Sequence, residues 1–382
     1  MATEPLILVL DLGDVFAKGL AIGAGRRQRL RFPSAIAHRF LDKVPSQSEL
    51  LLDSQVQFIR PTEFEPSAYP RTRSYPGSET LLAEVRTGGH PVTRVRMAGW
   101  LAAAYGADRQ ILGTHPTAEN IDALVRKALQ LCAVDCETAE VVFIVDVGTK
   151  SEALAEYAER PDWVVDLSVW SYVRSRMQHS SVRLHGRVLD AGACAMAAAP
   201  SEASIGNAGR TLLIDIGYLR SKLTILSEDG CEHLEQFHDL GIADCVRRVL
   251  RDEHENALIE DEFAIVRALE RAPAVIEVAG RKYDVTASVA RAGGVLEQEL
   301  GQAVERAAVE HFARRGETCR AAAIIGGGAA IVGAGLAARL EGGALRLGSV
   351  WVSPDSSFFL LRGAERLCRA SSWWPPALSL AC

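Results

Sequence analysis

The same pattern of aspartate, glycine and lysine occurs twice in this sequence. Residues Leu6–Lys18 are LILVLDLGDVFAK, and residues Thr211–Lys222 are TLLIDIGYLRSK. In each copy an Asp-x-Gly turn follows an apolar run, and a lysine stands seven residues after the aspartate. The glycine lets backbone amides approach a ligand closely, and the aspartate can hold a cation or its bound water. A phosphate chain with Mg²⁺ suits both copies.

A third glycine turn follows a third apolar run, at Ala323–Ala329, which is AIIGGGA. This segment predicts a strand, a glycine turn and the start of a helix. Backbone amides at a helix start attract anionic or polar groups. The spacing does not match the G-x-G-x-x-G of a dinucleotide site. A single Asp-x-Gly turn is more often structural than functional. Three such glycine turns in this order, taken together, indicate a ligand-binding site.

The elements that must position these residues indicate a duplicated α/β domain. Apolar residues resume after each lysine, which predicts two hairpins that face each other across a cleft. A chain of 382 residues is long enough for roughly two to three domains. We predict one domain from residues 1–205 and 345–382, with a small irregular insertion at about 32–91. The second domain is predicted over 206–344, with an insertion at about 250–290.

Apolar periodicity and helix caps predict the remaining elements. Helices are expected over Ala98–Tyr105, Ala118–Cys132, Ser151–Glu159, Ala191–Ala199, Leu240–Leu250 and Val289–Arg314. Strands are expected over Glu140–Asp146 and Arg183–Leu189, and a short hairpin over Ile276–Val285.

The composition is that of an ordinary globular protein, with 48% apolar and 24% charged residues. The net charge of −6 gives no basic surplus, so direct nucleic-acid binding is not expected. The basic run Arg26–Arg31 is expected to be the solvated end of a hairpin rather than a DNA or partner contact. Residues 321–338 lack charges, but alanine and glycine contribute little to membrane insertion, so no membrane span is predicted. The absence of a secretory signal and the scattered cysteines predict a cytoplasmic protein with free thiols.

The order of these motifs resembles the nucleotide site of the superfamily that includes actin, heat-shock chaperones and sugar kinases. The two copies are similar to its first and second phosphate loops, and Ala323–Ala329 is similar to its adenosine loop. Val188–Ala195 and Leu240–Asp244 lie where its two connecting helices begin. Within the superfamily the chain most resembles the bacterial ParM/StbA group of actin-like filament proteins, in segments Phe32–Ser34, Met97–Ala102 and Val352–Gly363.

The resemblance implies an actin-like, ribonuclease H-like fold of two α/β domains, with ATP or GTP and Mg²⁺ in the cleft between them. The residues implied to bind phosphate are Asp11, Gly13, Asp14, Lys18, Asp215, Gly217, Ser221 and Lys222. The residues implied to bind the nucleoside are Gly326, Gly327 and Gly328. Asp11 and Asp215 are implied to hold Mg²⁺ through water, and Asp190 to orient the attacking water.

The chain departs from the family pattern at positions that bear on hydrolysis. The family's second phosphate loop continues with threonines and a second aspartate, where this chain has Tyr218–Lys222. Asp190 stands where the family commonly has glutamate, so its carboxylate is one methylene shorter. A leucine, Leu360 or Leu361, falls near an asparagine of the C-terminal pattern. We therefore expect nucleotide binding to be better preserved than fast hydrolysis.

The resemblance implies an ATPase that assembles head to tail into filaments with ATP and Mg²⁺. Such filaments would serve in plasmid or other cargo segregation through a DNA-binding adaptor, or as a cytoskeletal element. Two alternatives remain open at the level of the sequence. One is a degenerate actin-like scaffold with weak or no ATPase activity, and the other is a small-molecule kinase or phosphatase of the same superfamily.

Overall fold

The repeated pattern forms a β-hairpin near the start of each of two compact units. The computed structural model of the protein describes residues 6–23, 26–41, 73–75, 80–87, 90–99, 102–103, 109–113, 116–132, 136–146, 149–160, 163–171, 176–199, 210–253, 262–278 and 281–372. Unit 1 comprises Met1–Asp190 and Cys368–Cys382, and unit 2 comprises Ala191–Leu367. Each unit has its own central sheet.

Unit 1 contains two sheets, in the order β10-β11-β9-β1-β2-β3 and in the order β5-β6-β7-β4-β8. Its strands are β1 (Leu6–Leu12), β2 (Phe16–Gly23), β3 (Arg26–Pro33), β4 (Ala35–Leu41), β5 (Arg73–Tyr75), β6 (Thr80–Thr87), β7 (His90–Ala98), β8 (Arg109–Ile111), β9 (Thr138–Val145), β10 (Val164–Ser171) and β11 (Arg176–Asp190). Its helices are α1 (Ala118–Leu131) and α2 (Thr149–Ala158).

Unit 2 contains a sheet in the order β14-β13-β12-β17-β18 and the separate hairpin β15-β16. Its strands are β12 (Thr211–Ile216), β13 (Arg220–Ser227), β14 (Gly230–His238), β15 (Val275–Val278), β16 (Arg281–Asp284), β17 (Ala321–Ile325) and β18 (Ser349–Val352). Its helices are α3 (Ala191–Ala198), α4 (Ile242–Asp252), α5 (Glu262–Leu269), α6 (Thr286–Arg315), α7 (Ala329–Glu341) and α8 (Phe359–Ala370), and the unit boundary falls within α8.

The two central sheets share one topology. In unit 1, β1 pairs antiparallel with β2 and parallel with β9, and β9 pairs parallel with β11. In unit 2, β12 pairs antiparallel with β13 and parallel with β17, and β17 pairs parallel with β18. Both sheets also continue on the other side with a third antiparallel strand, β3 or β14. The predicted duplicated α/β fold is thus confirmed.

The buried core explains why these segments adopt these structures. Leu8 and Leu10 of the central strand β1 are fully buried, as expected for an apolar run between two covered faces. Helix α1 buries its apolar stripe, including Leu124 and Leu129, in the same core. Burying these side chains supplies the main free energy that holds the helix on the sheet.

Helices α6 and α7 approach each other closely along glycines. A Cβ atom added at Gly301 of α6 would lie 2.6 Å from Arg339 Cδ of α7. A Cβ added at Gly335 of α7 would lie 2.2 Å from Glu297 Oε2 of α6. The carboxylate of Glu297 therefore lies directly on the backbone of α7, and burial raises its pKa above the usual range.

The structure gives the secondary structure of three segments that the sequence analysis discussed. The predicted helix start at Ala98 is wrong, because Ala98 is the last residue of β7 and pairs with Ile36 of β4. The basic run Arg26–Arg31 belongs to β3, which pairs along its whole length with β2. The uncharged stretch 321–338 divides into β17, the glycine turn and most of α7. Among the described residues, no helix has the length and apolar character needed to cross a membrane.

Candidate functional site

The first hairpin brings its aspartate and lysine together across two strands. Asp11 of β1 and Lys18 of β2 are register partners, which is why seven positions separate them in the sequence. The Lys18 Nζ atom lies 3.3 Å from Asp11 Oδ2. The lysine side chain is 13% exposed and the aspartate side chain 25%. The pair is partly shielded from water, so the attraction is stronger than at a fully exposed surface.

The glycines of both hairpin turns are required by a close backbone contact. A Cβ added at Gly13 would lie 2.6 Å from the carbonyl oxygen of Phe16. A Cβ added at Gly217 would lie 2.6 Å from the carbonyl oxygen of Arg220. Real Cβ atoms do not approach a backbone oxygen so closely, so both turns have the same shape requirement. The sequence repeat is therefore also a repeat of local geometry.

Asp14 of the first turn has a partner that the sequence did not reveal. The Lys150 Nζ atom, in the first turn of α2, lies 3.1 Å from Asp14 Oδ1. The side chains are 15% and 12% exposed, respectively. Close by, the backbone N–H of Asp146 donates to Ser151 Oγ at 2.8 Å, which ties the end of β9 to the start of α2.

The predicted residues of unit 1 collect at one edge of its central sheet. Strands β1, β9 and β11 are parallel, so their carboxyl ends lie at the same edge. The first turn follows β1, Lys150 follows β9, and Asp190 is the last residue of β11. Two strand spacings separate β1 from β11, which places the backbones of Asp11 and Asp190 about 10 Å apart. In open α/β sheets, ligands bind outside the carboxyl ends of the strands.

The second hairpin has the same register as the first, but its polar side chains make different contacts. Asp215 and Lys222 are cross-strand partners, as in the first copy. Ser221 is fully buried, and its hydroxyl donates to the carbonyl oxygen of Leu240. The hydroxyl proton of Ser221 is therefore already used in a hydrogen bond within the protein. Phosphate binding by Ser221 stays a prediction. Burial, together with the nearby Lys222 ammonium, holds the pKa of His233 on β14 below its usual range.

The turn of the second hairpin also fixes the start of α4. The backbone N–H of Ile242 donates to Gly217 O at 3.2 Å, and that of Ala243 donates to Tyr218 O at 2.9 Å. These bonds satisfy N–H groups that a helix start leaves without partners inside the helix. The segment Leu240–Asp244, predicted to begin a helix, is thus joined directly to the second phosphate-loop candidate.

The third glycine turn lies against the second hairpin within unit 2. Gly326 has φ +89°, and a Cβ added there would lie 2.2 Å from Asp215 Oδ1. Gly328 donates its backbone N–H to Ile216 O at 2.9 Å. A Cβ added at Gly327 would meet nothing within 4 Å, so this residue borders open space. Helix α7 begins directly after the turn, at Ala329.

Comparison with solved structures identifies this arrangement. An archaeal actin homolog, Ta0583, is similar to the chain at 14% identity and a TM-score of 0.63, covering 96% of this chain and 100% of its own. A 15-stranded ParM filament structure from Clostridium botulinum matches at 12% identity and a TM-score of 0.59, covering 96% and 100%. Bacillus thuringiensis ParM with ATP matches at 14% identity and a TM-score of 0.58, covering 96% and 99%. The chain has an actin-like fold.

The actin-like fold predicted from the motifs is confirmed by structure, although overall sequence similarity is low. No protein-family model matches this sequence, and no curated protein sequence matches it either. With identities of 12% to 14%, the likeness establishes the fold alone. What the site does must be argued from its own residues.

The acidic residues of this actin-like fold suit a Mg²⁺ ion that retains most of its water. Within the described part of the chain, no three His, Cys, Asp or Glu side chains are grouped closely enough to hold a metal. Mg²⁺ is typically held by one or two carboxylates together with water and phosphate oxygens. Asp11 in unit 1 and Asp215 in unit 2 are each a carboxylate near the end of a strand, so the donors of each unit fit that mode and not a closed all-protein site.

Sequence reasoning missed Lys150 beside the first turn, in unit 1, and Gly241 beside the second turn, in unit 2. A Cβ added at Gly241 would lie 2.3 Å from Tyr218 O, so this glycine permits the contact between α4 and the second turn. No motif marks Lys150. It lies in the first helical turn after β9, and the parallel pairing of β9 with β1 brings it close to the end of β1.

Proposed function

We propose that the protein binds a nucleoside triphosphate, ATP or GTP, together with Mg²⁺. The observation that carries this proposal is the recurrence of one hairpin geometry, with a carboxylate, a cross-strand lysine and a turn closed to any side chain, in both units. The third glycine turn, packed on Asp215, supports it. One of the similar structures is ParM with ATP, which is consistent with the same ligand class here.

Each proposed role follows from the chemistry of its residue. Lys18 and Lys222 supply point charges for phosphate oxygens. The N–H groups of Gly13 and Gly217 donate to Asp11 O and Arg220 O within their own turns, so these glycines contribute the shape of the turn that receives the phosphates. Gly326, Gly327 and Gly328 bring backbone close to the nucleoside, and open space at Gly327 leaves room for it. Asp11 and Asp215 would hold the Mg²⁺ through its waters. When bound, that ion would neutralise phosphate charge.

Hydrolysis is proposed to depend on Asp190. This residue is exposed at the last position of β11, at the sheet edge that also holds the first turn. A carboxylate there can accept a hydrogen bond from a water molecule and orient it toward a phosphate. Its side chain is short, so we expect slow turnover.

We further propose that the protein assembles head to tail with copies of itself. A ParM filament is among the similar structures, and heterologous contacts of that kind extend into open filaments. Nucleotide state would control assembly only if the triphosphate-bound and diphosphate-bound forms make different contacts. A role in segregating plasmid DNA or another cargo through a DNA-binding adaptor, in the cytoplasm, extends this proposal by analogy.

The second candidate function is a scaffold that binds nucleotide but hydrolyses it very slowly or not at all. Its support is the internal hydrogen bond of Ser221, which occupies a hydroxyl of the second phosphate-loop candidate. The two functions share the binding step and differ in turnover. Phosphate release measured with saturating ATP and Mg²⁺, with no other substrate added, separates them. A kinase that needs an acceptor would release as little phosphate as the scaffold in this assay, so phosphoryl transfer to added small-molecule acceptors is measured as well.

The binding step is tested by titration calorimetry with ATP and GTP, with Mg²⁺ or with a chelator. We expect Lys18→Met to weaken triphosphate binding about tenfold or more, because a charged hydrogen bond is lost. The matched control is Lys282→Met, since Lys282 is exposed on the β15-β16 hairpin. Absence of nucleotide binding by the wild-type protein would refute the proposal.

Assembly is tested by light scattering and negative-stain electron microscopy. The samples contain Mg²⁺ with ATP, a slowly hydrolysed ATP analogue, ADP or no nucleotide. Filaments that require the triphosphate would support the proposal, and Asp190→Ala should then make them persist longer. A protein that binds ATP yet stays monomeric under all four conditions would favour the scaffold.

A further inference from the structure

The first phosphate-loop candidate contains an acidic residue at its tip. Asp14 follows Gly13 in the turn between β1 and β2, where the proposed function requires a polyphosphate to approach. Its side chain is only 12% exposed. A carboxylate with little access to water repels a nearby phosphate more strongly than an exposed carboxylate does. A polyphosphate can therefore bind at this turn only if the charge of Asp14 is compensated.

Lys150 provides that compensation from a different element. Its Nζ atom lies 3.1 Å from Asp14 Oδ1, whereas the other lysine of this region, Lys18, contacts Asp11. Among the described residues, Lys150 is the only cation in an ion pair with Asp14. The side chains of Asp11, Lys18, Asp14 and Lys150 are two anions and two cations, so these four carry no net charge before any ligand binds.

Lys150 is not part of the hairpin. Lys150 lies in the first turn of α2, which follows β9, the parallel neighbour of β1. The bond from the Asp146 N–H to Ser151 Oγ anchors the strand end to that helical turn. The ammonium group is thus delivered to Asp14 by a separate, anchored part of the sheet.

We propose that Lys150 is a positioning residue for nucleoside polyphosphates, which neutralises Asp14 so that the first turn can accept them. This inference rests on the proposed nucleotide-binding function and adds to it a residue outside the three glycine turns. Its contribution grows with the number of phosphates on the ligand, because the repulsion from an uncompensated Asp14 grows with ligand charge. When Asp14 loses its charge, no repulsion remains for Lys150 to compensate.

The test compares four proteins: wild type, Lys150→Met, Asp14→Asn and the Asp14→Asn/Lys150→Met double variant. Dissociation constants for ATP, ADP and adenosine are measured by calorimetry with Mg²⁺ present, and the series is repeated with the guanine compounds. We expect Lys150→Met to weaken triphosphate binding about tenfold or more, diphosphate binding less, and nucleoside binding not at all. The double variant should recover most of the lost triphosphate affinity.

Two further readouts separate a role in charge compensation from a role in folding. The midpoint of thermal unfolding is measured for every variant, and Lys150→Arg, which keeps the charge, should bind triphosphate better than Lys150→Met. If Lys150→Met does not fold, Asp14→Asn alone remains informative, because removing the negative charge should tighten triphosphate binding. Lys282→Met is the control for loss of a lysine elsewhere.

The inference is overturned if Lys150→Met binds ATP as the wild type does, or if it weakens ATP and adenosine equally. It is also overturned if Asp14→Asn fails to restore binding in the double variant. These results require a wild-type protein that binds nucleotide. If the wild type binds none of the ligands, the proposed function fails and the inference fails with it.

Discussion

At the scale of single residues, the site depends on glycines, which have no side chain, as much as on charged side chains. Gly13 and Gly217 lie so close to a carbonyl oxygen that a methyl group has no room. The charged residues then act in pairs, Asp11 with Lys18 and Asp14 with Lys150. Binding chemistry at this scale is therefore set by turn shape first and by charge balance second.

The turn glycines give a prediction for stability. Gly13→Ala or Gly217→Ala should each lower the free energy of unfolding by about 1–3 kcal/mol, because the backbone must shift to admit the Cβ atom. Gly294→Ala in α6 is the matched control, since a Cβ there meets nothing within 4 Å and alanine favours a helix. Urea unfolding measures all three. Equal stability of Gly13→Ala and wild type would contradict the close contact.

Glu297 gives a prediction for pH dependence. Burial against α7 raises its pKa, so the folded protein holds the proton more tightly than the unfolded chain does. The stability that protonated Glu297 contributes is fully present below the pKa that Glu297 has in the unfolded chain. It is lost as pH rises through the pKa that Glu297 has in the folded protein. Glu297→Gln should therefore raise the melting temperature relative to wild type at pH 7, with a smaller gain at pH 4.

Differential scanning calorimetry at several pH values tests this dependence. Glu277→Gln is the control, because Glu277 is exposed on β15. A gain from Glu297→Gln that does not change with pH would show that its origin is packing and not charge.

At the scale of elements, unit 2 couples a turn to a helix. The start of α4 is held by backbone bonds to the second hairpin turn and by the buried hydroxyl of Ser221. Anything that displaces this turn must also displace the first residues of α4. A ligand that shifts the second hairpin turn would therefore also shift the backbone at the start of α4.

Removing the Ser221 hydroxyl tests this coupling. Ser221→Ala should cost about 1–2 kcal/mol, since the Leu240 carbonyl loses a buried partner. Amide hydrogen exchange should increase at the start of α4 and stay unchanged in α6. Ser227→Ala is the control, because its hydroxyl makes only a long bond of 3.4 Å within its own turn. Unchanged protection of Ile242 and Ala243 would show that the backbone bonds suffice.

Local sequence predicted the elements that depend on short-range pattern. The apolar residues that resume after Lys18 predicted a hairpin, and the register shows that Asp11 and Lys18 are paired across it. The Ala-rich segment at Ala98 predicted a helix, but pairing of Ala98 with the distant Ile36 makes Ala98 the end of a strand, and the helical residues described in this segment are Ala102 and Ala103. Long-range strand pairing overrides intrinsic helix preference, and no nearby residue signals it.

The partner of Asp14 shows the same limit for the site. Lys150 is 136 positions from Asp14 and belongs to no motif, so its proximity follows only from the parallel pairing of β1 and β9. The three glycine turns, in contrast, could be found because backbone shape restricts residue type. The actin-like fold was thus accessible from sequence, whereas the charge balance of its first turn was not.

At the scale of the whole molecule, the repeated hairpins lead to a prediction of how ligand binding changes the stability of the fold. ATP with Mg²⁺ should stabilise the protein by about 2.7 kcal/mol when its concentration is one hundred times the dissociation constant. Asp11→Asn in unit 1 and Asp215→Asn in unit 2 should each reduce the Mg²⁺-dependent part of that gain. Thermal shift with ATP, with and without Mg²⁺, measures it.

Asp229→Asn is the matched control for these two variants, because Asp229 is exposed in the turn between β13 and β14. Loss of the Mg²⁺-dependent gain in only one of the two aspartate variants would show that one copy of the repeat holds the ion alone.

The close packing around Gly326 has a consequence for heredity. A β-carbon at position 326 would collide with the carboxylate of Asp215 and also with the backbone of Ile216, at a φ of +89° that residues with side chains rarely adopt. Loss of the Asp215 side chain would leave the backbone collision and the strained φ in place. An intragenic suppressor screen of a Gly326→Ala gene should therefore recover reversion to glycine and no suppressor at codon 215.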